Sequence, residues 1–129
     1  MCMGLNYRDH IEETGTAFQR DIKIPKVPIV FTKSVSSINH PFADIPYNPS
    51  ISKEIDWEVE LAVVISDECF NVSYEEAYDV VFGYTIINDI SARDIQRNHK
   101  QFFLGKSLPG SCPIGPCMLQ KTRLRILTL

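Results

Sequence analysis

No apolar run in this sequence approaches the roughly 18 to 20 residues of a membrane-spanning helix. No two cysteines are spaced CxxC, and no histidine stands near Cys2, Cys69, Cys112 or Cys117 at zinc-finger spacing. No basic block exists, and the formal charge is −3, so nucleic acid is a poor partner. No signal-peptide apolar stretch or arginine-rich transit pattern opens the chain, because Asp9, Glu12 and Glu13 come early. No internal repeat or low-complexity segment is visible. At 129 residues the chain is one domain at most, and these absences point away from membranes, to a reducing, cytoplasmic compartment. A mitochondrial location without a visible transit peptide is the alternative. The four cysteines are expected as reduced, mostly buried thiols, with a Cys112–Cys117 disulfide as the lesser alternative.

What is present is mainly extended. "IPKVPIVFTKSVSSI" reads as loop then short strand, and "NHPFADIPYNPS" as loop. "DWEVELAVVI" (Asp56 to Ile65) reads as a strand with Asp56, Glu58 and Glu60 on one face and Trp57, Val59 and Leu61 on the other. It continues as Ala62-Val63-Val64-Ile65, apolar on both faces, which predicts burial. "NVSYEEAYDVVFGY" predicts a helix capped by Ser73 with Glu76, and "SARDIQRNHKQF" one capped by Ser91 with Asp94. "GLNYRDHIEETG" predicts a turn and a short helix ending at Gly15. "YTIIND" predicts a strand ending at Asp89. The tail "QKTRLRILTL" has no place in the pattern.

The chemistry lies in carboxylates. Glu58 and Glu60 are two apart on one strand, so their Cβ atoms stand about 6 to 7 Å apart on one face. Glutamate is long enough for both to converge on one ion. Oxygen ligands without His or Cys suit Mg²⁺, Mn²⁺ or Ca²⁺. The plainer reading is a charged row on an edge strand. Asp89 closes an apolar strand and can present a carboxylate into a cleft, or simply cap a loop. Arg93, four residues on, can balance charge or orient a substrate carboxylate, or form a surface ion pair. His10 and Glu13 are helix neighbours at i,i+3. They suit a general base for water, though an isolated H-x-x-E is more often a solvated face. "LGKS" (Leu104 to Ser107) lacks the glycine of a phosphate loop, because Lys100 stands there. Lys106 in that loop can bind an oxyanion, or can be an ordinary exposed lysine.

Together, "GLNYRDHIEE", "PIVFTKSVSSI", "DWEVELAVVI", "VFGYTIINDISARDIQ" and "FFLGKSLPGSCPIGP" resemble the fumarylacetoacetate hydrolase family, in its small FAH-domain-containing branch. The segments fall in the same order, from about Gly4 to Pro116. The resemblance implies a mainly β fold with a few short helices, a mixed-sheet roll that is usually dimeric. It divides the chain into a partial catalytic domain, 1–118, and a divergent tail, 119–129. It implies that Glu58, Glu60 and Asp89 hold Mg²⁺ or Mn²⁺, and that His10 and Glu13 activate water. It implies that Lys106 stabilises developing negative charge, with Arg93 and Gln96 near the substrate. Asp56 receives no role.

The implied reaction is metal-dependent C–C hydrolysis of acylpyruvate or fumarylpyruvate-type acids. The alternatives are keto–enol tautomerase, isomerase or decarboxylase chemistry on oxaloacetate-like acids, and a catalytically inactive fragment. Family members continue past "CPIGP" with further strands. The resemblance therefore also implies an incomplete roll, expected to be unstable or to aggregate when expressed alone.

Overall fold

The computed structural model describes residues 1–7, 26–99 and 101–123. Among these, nine short strands pair into four small sheets. β1 (Cys2–Gly4) runs antiparallel to β2 (Ile29–Phe31). β3 (Ile38–Asn39) lies parallel to β8 (Cys112–Pro113). β4 (Ile55–Asp56) pairs antiparallel with β7 (Ser91–Ala92). The largest sheet is β5 (Val59–Ile65), β6 (Val81–Asn88) and β9 (Leu119–Gln120), all antiparallel, with β6 central. Two short helices, α1 (Arg93–Asn98) and α2 (Phe103–Lys106), follow β7. This is the mainly β architecture with few short helices that the sequence implies. Among the described residues no helix is long and apolar enough to cross a membrane.

β5 and β6 form because both are rich in β-branched and aromatic residues that suit a pleated surface. Their register pairs Val59 with Asn88, Leu61 with Ile86 and Val63 with Tyr84, and shifts between Val64 and Ile65. Glu60 thereby falls opposite Ile87, on the face away from Val59 and Leu61. The side-chain alternation is as expected, but the burial is not. Val59, Leu61, Val63 and Ile65 are exposed, as are Phe82 and Ile86 on β6. The apolar face of "LAVVI" has no cover among the described residues.

Two predicted helices also change. Ser73 and Glu76 make one half of a capping box, the Glu76 amide donating to Ser73 Oγ at 3.3 Å, while the Ser73 hydroxyl donates to Glu76 Oε2 at 2.8 Å. The backbone nevertheless continues as i→i+3 turns, such as Asp79 N–H to the Glu76 carbonyl, and not as an α-helix. Residues 67–79 are all exposed, so no core face rewards helix formation. In the second case Ser91 is in β7 and its hydroxyl donates to the Asp89 carbonyl. Asp94 instead receives Ser52 Oγ–H at 2.6 Å and the Lys53 amide at 3.2 Å. The tail gains a role too, because Leu119–Gln120 pairs with Gly83–Tyr84. The first predicted helix, with His10 and Glu13, lies outside the described residues.

The buried residues centre on the end of β6 and on β7. Val81, Tyr84, Ile90, Ala92 and Cys112 are joined there by Ser37, Ser52, Asp89, Ser91, Lys106 and Ser111. An interior this polar holds only if its groups find partners. Ser37 donates to the Ser34 carbonyl at 2.6 Å and Ser52 to Asp94. α2 packs closely on α1 because Gly105 has no side chain. A Cβ there would lie 2.9 Å from the Ala92 carbonyl oxygen and 3.0 Å from the Gln96 nitrogen. That approach fixes where the next residue, Lys106, enters the interior.

All four cysteines are free. Cys112 is buried, whereas Cys69 and Cys117 are exposed, so burial of the thiols holds only in part. No Cys112–Cys117 disulfide forms. Burial pushes the Cys2 and Cys112 thiols up, which keeps them protonated and unreactive.

Candidate active site

The sheet register delivers the acids. The Asp89 amide donates to the Glu58 carbonyl at 2.8 Å, so the end of β6 is pinned beside the start of β5. Asp56 closes β4, Glu58 follows it, and Glu60 sits one step into β5. From the opposite side come the cations. Lys106, at the end of α2, donates to Glu58 Oε2 and, at 2.9 Å, to Asp89 Oδ2. Arg93, first residue of α1, spans Asp56 and Glu58. Its Nε and Nη2 reach Asp56 Oδ2 at 2.9 and 2.7 Å, and Nη2 reaches Glu58 Oε1 at 2.6 Å. Its Nη1 donates to Gln96 Oε1 at 2.9 Å.

Lys106, for which the spacing alone also allowed an ordinary exposed lysine, is among the most buried residues, at 3% exposure. A buried ammonium is tolerated only when paired and hydrogen-bonded. Lys106 meets that condition with two carboxylates and with the face of Phe31, whose centroid is 5.2 Å from Nζ.

Two participants were given no role from the sequence. Lys33 Nζ donates to Asp89 Oδ1 at 2.6 Å and to the Ile90 carbonyl at 3.2 Å. Each oxygen of Asp89 thus meets a different lysine. The signal was a lysine just beyond the apolar strand in "PIVFTKS", the mirror of Asp89 just beyond β6. The segments bearing the two lysines are tied together, because the Ser34 amide donates to Ser107 Oγ at 2.9 Å. The second is Asp56, which anchors Arg93. Its signal was membership of the same alternating row.

The electrostatics follow from crowding. Burial is the main cause that raises the Glu60 carboxyl, and the charges of Glu58 and Asp89 add to it. Asn6 and the Lys106 ammonium oppose that rise. Burial works against the Arg93 charge, but Asp56 and Glu58 outweigh it and hold the guanidinium above its ordinary value. With every group ionised, four carboxylates face three cations. Ser111 adds a buried hydroxyl without a partner among the described residues, and its carbonyl receives the Ile90 amide next to Asp89.

Glu58, Asp89, Arg93, Gln96 and Lys106 are therefore brought into one connected network, and Glu60 lies within reach of its charges. The oxygen-only donor set of Glu58, Glu60 and Asp89 suits a hard divalent cation. The cluster already concentrates positive charge, in the form of lysine ammonium groups, on two of those three carboxylates. Among the described residues no three His, Cys, Asp or Glu side chains are gathered as a ligand set. The residue types fit such an ion, and ammonium groups take the oxygens in this arrangement.

Comparison with known proteins identifies the family of the chain. The family model "Fumarylacetoacetate (FAA) hydrolase C-terminal" matches residues 1–128. The chain is 46% identical over 125 residues to oxaloacetate tautomerase YisK of Bacillus subtilis, covering 97% of this chain and 40% of that protein. Among solved structures it is similar to a fumarylacetoacetate hydrolase from Exiguobacterium antarcticum. That match has TM-score 0.76 and 44% identity, and covers 92% of this chain and 41% of the other. It is also similar to 5-carboxymethyl-2-hydroxymuconate delta-isomerase from Mycobacterium smegmatis. There the TM-score is 0.71 and the identity 34%, over 92% of this chain and 45% of that one. The chain thus spans about two-fifths of the curated relative's length. With the family model covering nearly every residue, and with similar proteins on both the sequence and the structure side, the chain belongs to the fumarylacetoacetate hydrolase family.

Proposed function

We propose that this chain carries the metal and oxyanion half of a keto–enol tautomerase acting on oxaloacetate-like 2-keto acids. The observation that carries the reading is the buried Lys106, held between Glu58 and Asp89 with Arg93 alongside. Enolisation moves a proton from the carbon next to a carbonyl onto the carbonyl oxygen, with no atoms gained or lost. Its difficult point is negative charge on that oxygen. A desolvated ammonium stabilises such charge far better than one in water. Lys106 supplies it, and Arg93 with Gln96 holds a substrate carboxylate. Mg²⁺ or Mn²⁺ on Glu58, Glu60 and Asp89 would supply Lewis acidity when bound. The curated relative named an oxaloacetate tautomerase supports this choice, as does the similar delta-isomerase.

The second reading is hydrolysis of acylpyruvate-type acids, favoured by the similarity to the Exiguobacterium hydrolase. It adds attack by a water, assigned to His10 and Glu13. A homodimer is part of the proposal under either reading. The test is oxaloacetate enol–keto conversion and acetylpyruvate cleavage, followed side by side with Mg²⁺. Conversion without cleavage, lost in Lys106→Met, is the expected result. Cleavage that His10→Ala abolishes while conversion survives would favour the hydrolase.

A further inference from the structure

We propose that Lys106 is an exchangeable stand-in for the divalent cation, whereas Lys33 is a fixed brace. Binding of the cation then frees the Lys106 ammonium for the substrate. The inference rests on the cation-site reading above and adds an order of events to it.

The argument begins with the partners of the two ammonium groups. Both side chains are almost fully buried, Lys33 at 7% exposure and Lys106 at 4%. Lys33 has one partner outside the carboxylates, the Ile90 carbonyl. A cation bound to carboxylate oxygens leaves that anchor intact. Both anionic partners of Lys106, Glu58 Oε2 and Asp89 Oδ2, belong to the proposed ligand set. The ammonium and the cation therefore compete for the same oxygens. At similar distance a dication is attracted about twice as strongly as a monocation. The contest falls on Lys106 and spares Lys33, which holds Asp89 by its other oxygen.

The displaced group has somewhere to go. The backbone of Lys106 is fixed by the Gly105 contact with α1, so the flexible side chain is the part that moves. The ring of Phe31 stays beside it and favours a cation. Once parted from both carboxylates, a buried ammonium needs a new anion. The carboxylate or enolate oxygen of a keto acid meets that need. Cation first and keto acid second is the order that follows.

The experiment uses the full chain and Mn²⁺. Calorimetry establishes binding, and reductive methylation mapped by mass spectrometry reports each lysine with and without saturating Mn²⁺. The expected result is labelling of Lys106 that rises at least about fivefold, with Lys33 protected throughout and exposed Lys53 unchanged. In addition, Lys106→Met is expected to bind Mn²⁺ about tenfold more tightly, because a competing cation is gone. Binding with no change at Lys106, or labelling that appears at Lys33 instead, overturns the exchange and leaves the cation site standing. Weaker Mn²⁺ binding by Lys106→Met also overturns it. No binding at all by the wild-type chain removes the cation site and the exchange together. If Lys106→Met does not fold, the wild-type labelling decides.

Discussion

Lys33 and Asp89 are 56 residues apart in the chain, and their charged groups are 2.6 Å apart in the interior. Removing one partner of a buried pair strands the other. Lys33→Met is expected to lower stability by about 3 kcal/mol, with Lys106 still holding one Asp89 oxygen. Urea unfolding of wild type, Lys33→Met and Lys33→Arg measures this. A loss below about 1 kcal/mol in Lys33→Met would show that the pair matters little.

Asp56 gives the contrasting case. It pairs with the same Arg93 that holds Glu58, but its side chain is 47% exposed. Exposed pairs contribute little, so Asp56→Asn is expected to cost less than about 1 kcal/mol. Its effect belongs to the aim of the guanidinium. In the enol–keto assay KM is expected to rise about tenfold with kcat nearly kept, as when binding common to ground and transition states is lost. An equal fall in kcat would place Asp56 in the chemical step.

The Glu60 carboxyl has a pH signature. Burial raises its pKa in the folded state, so the folded chain binds the proton more tightly than the unfolded one. That contribution is fully present below the unfolded value and is lost as pH rises through the raised folded value. Glu60→Gln is expected to flatten this decline, seen as thermal midpoints from pH 4 upwards without divalent ions. A slope identical in both proteins would remove Glu60 as its source.

Gly105→Ala tests the close approach of α1 and α2. The added methyl meets backbone at 2.9 Å, which no side-chain rotation relieves. The expected cost is about 1 to 3 kcal/mol, together with tighter Mn²⁺ binding if Lys106 is drawn off its two carboxylates. Calorimetry and urea unfolding read the two effects separately. Wild-type stability in this variant would show that the helices can separate freely.

The open face of β5 and β6 makes a prediction about solubility. Leu61 and Ile86 are cross-strand partners and both are exposed. Contiguous exposed apolar surface favours association. Leu61→Lys with Ile86→Glu is expected to lower light scattering at high concentration with little change in the thermal midpoint. A large loss of midpoint would mean that this face is packed in solution.

Much of the site was legible because alternation in a strand is a rigid rule. Glu58 and Glu60 had to share a face, and Asp89 had to leave the end of β6. Lys106 was not legible as a buried group, since nothing near "LGKS" tells which acids will surround it. That depends on pairing between segments far apart in the chain. Burial of "LAVVI" misled for a related reason. Apolar residues show that a face needs cover, whereas the cover itself comes from elsewhere. Ser91 failed as a cap because β4 recruited it into a strand, and Asp94 was left to Ser52. Local preference lost to tertiary pairing in each case.

The parallel pairing of β3 with β8 joins Ile38 to Cys112, and the Ser34–Ser107 contact joins neighbouring stretches of chain. Neither is local, because each joins positions more than seventy residues apart in the chain. The two lysines ride on those stretches. The charge cluster therefore depends on tertiary pairing, and the Lys33–Asp89 pair reports on whether segments 56 residues apart are joined.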